Sequence, residues 1–275
     1  MITAKTKLNM VIGHPLSHTQ SPTLHNAIYQ HIQVDAILLA FPHTKLSSLI
    51  QSIKTLAVEL VAVTMPFKEK IIKYLDYCSP EVENLKAANT LIQRDNKLYG
   101  YNTDVDGVAY ALRDIHLNNK NILIIGAGGA ARAAAFFLKN QQANLYWLNR
   151  TEKNAVNIAK FFGGEVIDDR LLSQLHIDII INTTPLGMYP DIDTSPLNND
   201  IFKSHQIVFD MIYNPLETRM LSQAKKQGAK IISGIDMFIG QGLRQIELWQ
   251  NQSYTTQVDI NQIKQKIQKI ISLKG

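Results

Sequence analysis

A lysine and an aspartate stand in two segments of the first half of the chain that each read as a strand end running into a helix: Val63-Thr64-Met65-Pro66-Phe67-Lys68 and Asn102-Thr103-Asp104. Side chains at such positions project from the carboxyl edge of a sheet, where open α/β sheets bind ligands. Brought together there, Lys68 and Asp104 make an acid/base pair. Reduction of a carbonyl needs a proton at the developing alkoxide, and an ammonium supplies both the proton and the charge. Each residue also has a plain structural use, Lys68 as a surface lysine and Asp104 as a helix N-cap. A third segment, Gly13 to Asn26, is dense in hydroxyls and imidazoles. Thr19 and Ser21 are candidate donors to a carboxylate, unless one of them only caps the helix that follows. The histidines His14, His18 and His25 do not read as a metal site, because no carboxylate accompanies them and Pro15 and Pro22 break any regular face.

In the second half, the apolar run Asn121 to Ile125 breaks into Gly126-Ala127-Gly128-Gly129-Ala130 and restarts as an alanine-rich helix. Gly126 permits a tight turn, Gly128 lets backbone approach a phosphate, and Ala131 is small enough for helix to pack on strand, so the helix N-terminus faces an anion. This is the pattern of a dinucleotide pyrophosphate site. The next strand ends in Asn149-Arg150-Thr151, about 23 residues after Gly126, where this fold reads the adenosine ribose. A carboxylate there would bind the free hydroxyls of NAD. None is present, and Arg150 with Lys153 offers positive charge for a 2′-phosphate, which favours NADP. The alternative is a solvated helix start in which Glu152 offsets part of that charge.

Positioning these groups takes a particular set of elements. Before residue 105 strand-like and helix-like stretches alternate: strand Asn9 to Gly13, helix Ser21 to His31, strand Ala36 to Ala40, helix Lys45 to Leu56, strand Leu60 to Thr64. A helix from Phe67 to Leu75 behind Pro66, a strand pair Asn89 to Ile92 and Leu98 to Tyr101, and a helix from Asp104 complete that half. From Asn121 the order is strand, helix, strand, helix, with further strands near Gly164 to Ile167, Ile177 to Ile181, Gln206 to Asp210 and Lys230 to Ser233, which predicts a doubly wound parallel sheet. After Gly234 the pattern is helical, through Phe238 to Trp249 and Asp259 to Leu273. These last helices have no place in a six-stranded cofactor domain. The expected organisation is therefore an α/β substrate domain of residues 1–104 and 239–275, and a Rossmann-type dinucleotide domain of residues 105–238.

The chain has 275 residues with 45% hydrophobic content, enough for two cored domains. No apolar run reaches the length of a bilayer span, no signal-peptide core opens the sequence, and Cys78 is the single cysteine, all of which suit a cytoplasmic protein. The net charge of +5 is spread along the chain rather than clustered with aromatics, which argues against nucleic acid and is compatible with small anionic partners.

Taken in order, the segments resemble the shikimate dehydrogenase family over nearly the whole chain. The motifs that carry the resemblance are Gly13 to Asn26, Ala62 to Lys68, Ala88-Asn89-Thr90, Gly100 to Asp104, Gly126 to Arg132, Asn149-Arg150-Thr151, Ile181 to Met188, Asp210 to Pro215 and Gly234 to Gln241. The resemblance implies NADP-dependent interconversion of 3-dehydroshikimate and shikimate, on the route to aromatic amino acids, by a monomer or homodimer. It implies Lys68 and Asp104 as the acid/base pair. Thr19 and Ser21 would hold the substrate carboxylate, Thr64, Asn89, Asp104 and Gln241 its ring hydroxyls, and Tyr213 would line the pocket. Gly126 to Ala130, Asn149, Arg150, Thr151 and Lys153 would bind the dinucleotide, with Thr184, Met211, Gly234 and Met237 near the nicotinamide.

Three positions depart from the family pattern: Thr19 where serine is usual, Ala62 where asparagine is usual, and Asn154 where a second arginine often meets the phosphate. They keep open a paralogue acting on quinate or a related cyclohexene carboxylate with relaxed cofactor use. A cofactor-binding sensor without turnover is a further alternative, although it has no need of a lysine and aspartate relay.

Overall fold

The computed structural model describes residues 2–17 and 19–272. His18 of the opening motif and Leu273, the expected end of the last helix, lie outside the described residues. The chain forms two compact units. One runs to Gly107 and takes up Ile239–Ile267, and the other is Val108–Phe238 with residues 268–272. Sequence alone put the first division at 104/105 and the whole tail in the first unit. The observed division falls inside a helix, because the first turn of that helix is tied back to the strands before it, and helical periodicity carries no mark of such a tie.

The first unit is built on β1 (Lys7–Gly13), α1 (Ser21–His31), β2 (Ala36–Pro42), α2 (Leu46–Thr55), β3 (Leu60–Val63), β4 (Tyr77–Cys78), α3 (Pro80–Leu85), β5 (Thr90–Arg94), β6 (Lys97–Tyr101) and the start of α4 (Asp104–Ala111). The six strands form one mixed sheet in the order β2-β1-β3-β5-β6-β4. β1 pairs in parallel with β2 and β3, whereas β5 runs antiparallel to both β3 and β6. The β5–β6 hairpin turns on Asp95 and Asn96, both at positive φ (50° and 60°), the left-handed backbone of a two-residue hairpin turn that Asp and Asn tolerate. Between β3 and β4 the expected helix Phe67 to Leu75 does not form, and Ile72–Tyr74 is only a short 3₁₀ turn. Phe67 and Ile71 are buried as helix spacing would ask, but the Lys68 carbonyl accepts from Ala88 N (2.8 Å) rather than from the residue four places on. A tertiary bond has replaced a helical one. One core cluster on this sheet joins Met10, Ile12, Ile53, Phe67, Ile71 and Leu91.

The second unit carries β7 (Asn121–Ile125), α5 (Gly129–Leu138), β8 (Asn144–Leu148), α6 (Glu152–Phe162), β9 (Glu165–Val166), β10 (Ile179–Asn182), β11 (Ile207–Asp210), α7 (Arg219–Lys226) and β12 (Lys230–Ser233). Its sheet is parallel throughout, in the order β12-β11-β10-β7-β8-β9. That is the doubly wound arrangement with its switch point between β7 and β10, where ligands bind beyond the strand ends. Ile122, Leu123 and Ile124 of β7 and Ile179 to Ile181 of β10 are buried on both faces, as a sheet covered by helices on each side demands.

α8 (Gly234–Gln250) follows β12 without a loop, four residues earlier than the expected start at Phe238, and α9 (Ile260–Ser272) closes the described chain. The later turns of α8 belong to the first unit. There Trp249 packs edge-on against Tyr29 (5.6 Å between rings) and donates to Glu59 Oε2 (2.7 Å), while Arg94 donates to the Leu248 carbonyl (2.7 Å). Among the described residues no helix is long and apolar enough to cross a membrane.

Candidate active site

Strand register brings the chemistry-bearing segments of the first unit to one sheet edge. Ile12 pairs with Val63, Val63 N donates to Asn89 O (2.7 Å), and Asn89 N donates to Tyr101 O (3.1 Å), so Gly13, Thr64, Asn89 and Asn102 emerge side by side. Gly13 is required here: a β-carbon on it would press on Thr64 Cγ2 and on the Met65 carbonyl, which His14 N bonds at 2.9 Å. The turn after Thr64 is pinned by buried Phe67 and Ile71 and by the Ala88–Lys68 backbone bond, which aims Lys68 across the edge. Its Nζ lies 2.6 Å from Asp104 Oδ2. The other carboxylate oxygen, Asp104 Oδ1, accepts from Asn89 Nδ2 at 2.8 Å.

Asp104 is the first residue of α4, but the capping work is done by Asn102, whose Oδ1 accepts from Asp104 N (3.2 Å) and whose Nδ2 holds the Ala87 carbonyl (2.8 Å). The Asp104 carboxylate is thus left for Lys68 and Asn89. Asn89 is itself fixed in rotation. Its Oδ1 accepts from Thr103 N (2.8 Å) and from the Thr90 hydroxyl (2.7 Å), so its amide nitrogen must face the carboxylate.

Thr19 and Ser21 stand together at the start of α1, their hydroxyl oxygens 3.3 Å apart, with Ser21 N reaching Thr19 Oγ1 at the same distance. Both remain half-buried, and so does Gln241 on α8. One turn after Gln241 stands Gln245, which the sequence reading passed over. Its side chain is buried, faces His25 Nε2 through Oε1 (2.9 Å), and donates through Nε2 to the Thr90 hydroxyl (2.9 Å) and the Asn89 carbonyl (3.2 Å). His25 in turn contacts the Ser21 carbonyl through Nδ1 (2.9 Å), and its complete burial pushes the imidazole below its ordinary pKa against the pull of both acceptors. A signal was available, since a glutamine sharing a face with Gln241 and flanked by core residues Leu243, Ile246 and Trp249 needs polar partners. Ala62 lies opposite Thr90 in the β3–β5 register, so its missing amide leaves a methyl group beside a hydroxyl that Gln245 reaches from the helix side.

In the second unit Gly126 has φ +109°, and a β-carbon on it would collide with the Thr183 hydroxyl, which donates to Ile125 O (2.7 Å). Glycine alone meets both conditions. Among the described residues nothing stands over Gly128 and Gly129 and no side chain caps α5, and the buried Ala131 lets the helix approach the sheet. Free N–H groups at a helix start with room in front of them fit a pyrophosphate, with Ala127 and Ala130 completing the turn. Asn149, Arg150, Thr151 and Lys153 follow the end of β8. Arg150 and Lys153 are exposed, and Asn149 Nδ2 holds the Thr151 carbonyl (2.8 Å). The donor set is cationic and suits a phosphorylated ribose.

The ends of β10 and β11 are joined by buried polar groups that sequence reading did not single out. Asp210 accepts from Asn182 Nδ2 (3.1 Å), Ile212 N (3.1 Å) and the Thr218 hydroxyl (2.7 Å), while Asn182 Oδ1 accepts from the amide (3.0 Å) and hydroxyl (2.7 Å) of Thr184. Burial raises the Asp210 carboxyl to about 6 in spite of those three donors. Polar residues ending apolar strands were the available clue. Met211 N bonds Asn182 O (3.1 Å), and any side chain on Gly234 would strike the Met211 carbonyl, so α8 starts hard against this loop. Met237 is buried one turn later, and Tyr213, in this unit, stacks on Phe238 at 4.5 Å.

Two family models match the chain: the shikimate dehydrogenase substrate binding domain over residues 11–91, and shikimate / quinate 5-dehydrogenase over residues 109–188. A shikimate dehydrogenase (NADP(+)) of Methanocaldococcus jannaschii is 40% identical over 98% of this chain and 100% of its own. This chain belongs to the shikimate dehydrogenase family. Solved members share its architecture. A shikimate dehydrogenase in complex with NADP+ has a TM-score of 0.92 at 37% identity, covering 98% of both chains. The Thermus thermophilus enzyme in complex with NADP(H) and shikimate has a TM-score of 0.86 at 30% identity, covering 96% of this chain and 99% of its own.

Proposed function

We propose that this protein is an NADP-dependent oxidoreductase that interconverts 3-dehydroshikimate and shikimate in the formation of aromatic amino acids. The observation that carries the reading is the 2.6 Å approach of Lys68 Nζ to Asp104, itself held by Asn89 at the ligand edge of the first unit's sheet. Bound NADPH supplies the hydride, and NADP+ accepts it in reverse. In the reducing direction the Lys68 ammonium gives its proton to the ring oxygen as negative charge develops there. Asp104 keeps the lysine aimed between turnovers, and Asn89 keeps Asp104 from rotating away. Thr19 and Ser21 bind the substrate carboxylate with their paired hydroxyls, while Thr64, Asn89, Asp104 and Gln241 take the ring hydroxyls, with Tyr213 as a further lining residue.

On the second unit, Gly126 to Ala130 receive the pyrophosphate, Asn149, Arg150, Thr151 and Lys153 the phosphorylated ribose, and Thr184, Met211, Gly234 and Met237 lie toward the nicotinamide. The reading carries a division of labour with it, substrate on the unit ending at Gly107 and cofactor on Val108–Phe238. It also carries a cytoplasmic setting, which the single cysteine suits, and a monomer or homodimer, which sedimentation distinguishes. The test is steady-state nicotinamide reduction with shikimate and with quinate, each against NADP and NAD. A dominant specificity constant for shikimate with NADP supports the reading. Preference for quinate, or for NAD, moves it to a paralogue, and cofactor binding without turnover moves it to a sensor.

A further inference from the structure

We propose that Gln245 is a positioning residue for the Lys68–Asp104 pair, acting through a directed chain of buried hydrogen bonds. The proposal rests on the reading of that pair as the proton-transfer centre. Direction follows from what each group can do. The Asn89 main-chain oxygen only accepts, so the amide nitrogen of Gln245, not its oxygen, must face it (3.2 Å) and the neighbouring Thr90 hydroxyl (2.9 Å). A hydroxyl has one proton. With Gln245 pointing a hydrogen at Thr90 Oγ1, the Thr90 proton is left for Asn89 Oδ1, 2.7 Å away. Together with the bond from Thr103 N (2.8 Å), this holds Asn89 Oδ1 as an acceptor and turns its Nδ2 onto Asp104 Oδ1 (2.8 Å), whose partner oxygen receives Lys68 (2.6 Å).

Each bond in the series polarises the next, and Gln245, Asn89, Thr90 and His25 are all buried, so bulk water does not replace a missing member. His25 is the stop at the far end. Its Nε2 faces Gln245 Oε1 and its Nδ1 faces the Ser21 carbonyl, at 2.9 Å each, and the single N–H of a neutral imidazole serves one of these two oxygens. A glutamine rotated by half a turn would set its carbonyl against the Asn89 carbonyl.

The experiment uses Gln245→Met, Gln245→Glu and Thr90→Val in the full chain, with thermal unfolding alongside kinetics. Gln245→Glu keeps size and shape but, ionised, draws the Thr90 proton away from Asn89. Both glutamine variants and Thr90→Val are expected to lower kcat about five- to twentyfold while KM for shikimate stays within about twofold, the pattern of an interaction felt in the transition state. Gln245→Met combined with Thr90→Val is expected to be no slower than the worse single variant, since both cut the same chain. Folded variants with unchanged kcat, or a double variant showing the product of the two losses, would overturn the proposal.

A second measurement needs no turnover. The side-chain amide resonances of Asn89 in a ¹⁵N spectrum should move in the same sense in Gln245→Met and Thr90→Val, and their staying fixed would overturn the relay. Should the parent protein fail to oxidise shikimate, the functional reading falls, and this spectrum still decides the relay by itself. Should a glutamine variant fail to fold, Thr90→Val alone decides it by the same two readouts.

Discussion

Replacing Lys68 with methionine removes the ammonium and keeps an unbranched side chain one atom shorter. The substitution abolishes a single 2.6 Å ion pair in which 31% of the Lys68 side chain and 14% of that of Asp104 are accessible. Solvent screens a pair of this kind, so its removal should cost stability only on the order of 1 kcal/mol. Asp104 retains its bond from Asn89, and the Phe67 and Ile71 anchors that shape the turn are untouched. Turnover should suffer far more. A positioned general acid contributes about 10²- to 10⁴-fold, which is a barrier higher by about 3 to 5 kcal/mol. The expected outcome is a kcat for shikimate oxidation lower by at least two orders of magnitude, with KM within about threefold and an unfolding temperature close to that of the parent. Lys68→Arg separates charge from proton transfer, because a guanidinium keeps the charge but does not deprotonate. It should be nearly as slow as the methionine variant. A kcat for Lys68→Met within about threefold of the parent would refute the assignment. Full activity in Lys68→Arg would reduce the lysine to an electrostatic role.

Arg150→Gln should weaken NADP binding about tenfold or more and leave NAD nearly unchanged, since only the phosphorylated ribose loses a charge-assisted bond; fluorescence titration of both cofactors measures it. Gly126→Ala should destabilise the protein by about 1 to 3 kcal/mol and impair dinucleotide binding, because alanine must both accept φ +109° and displace the Thr183 hydroxyl. Denaturant unfolding combined with the same titration tests that. The Asp210 carboxyl, at about 6 against an ordinary 3.8, binds its proton more tightly in the folded than in the unfolded chain. Its contribution is therefore most favourable below about pH 4, declines as pH rises to about 6, and is level above that. Thr218 donates to the ionised form, so Thr218→Val should lose about 1 to 3 kcal/mol more above pH 6 than near pH 4, on top of a pH-independent loss from uncapping α7. Urea unfolding across that range reads the difference, and a loss that does not vary with pH would deny the carboxylate its part in it.

Much of the site was legible before folding because its residues sit at positions where local rules are strict. Gly126 must be glycine for its backbone angle, the start and end of α1 coincide with those read from Ser21 and His31, and the apolar runs of β7 and β10 announce a sheet covered on both faces. The misreadings have a common cause. The segment after Pro66 carries helical spacing at Phe67 and Ile71, yet its Lys68 carbonyl is claimed by Ala88, a partner 20 residues away that no local pattern reveals. The short β4 and α3 escaped notice because two paired residues and six helical ones fall below the length at which periodicity speaks.

The sequence by itself determined the order of the longer elements, the glycine turn after β7, the cationic group after β8 and the list of side chains chemically able to move a proton or hold a carboxylate, because these follow from residue type and near-neighbour spacing. Whether Lys68 and Asp104 were a pair or a surface lysine and a helix cap was decided by tertiary structure alone. Strand register set Thr64, Asn89 and Asn102 side by side, Asn102 took over the capping, and the Asp104 carboxylate was left to the lysine. The same holds for Gln245, 141 positions beyond Asp104 in the chain, which matters through three polar partners brought together from α1, the start of β5 and the residue before it. Hydrogen bonds between distant segments are formed only once the sheet and its helices pack, and a buried amide acquires a direction only from the groups that then surround it.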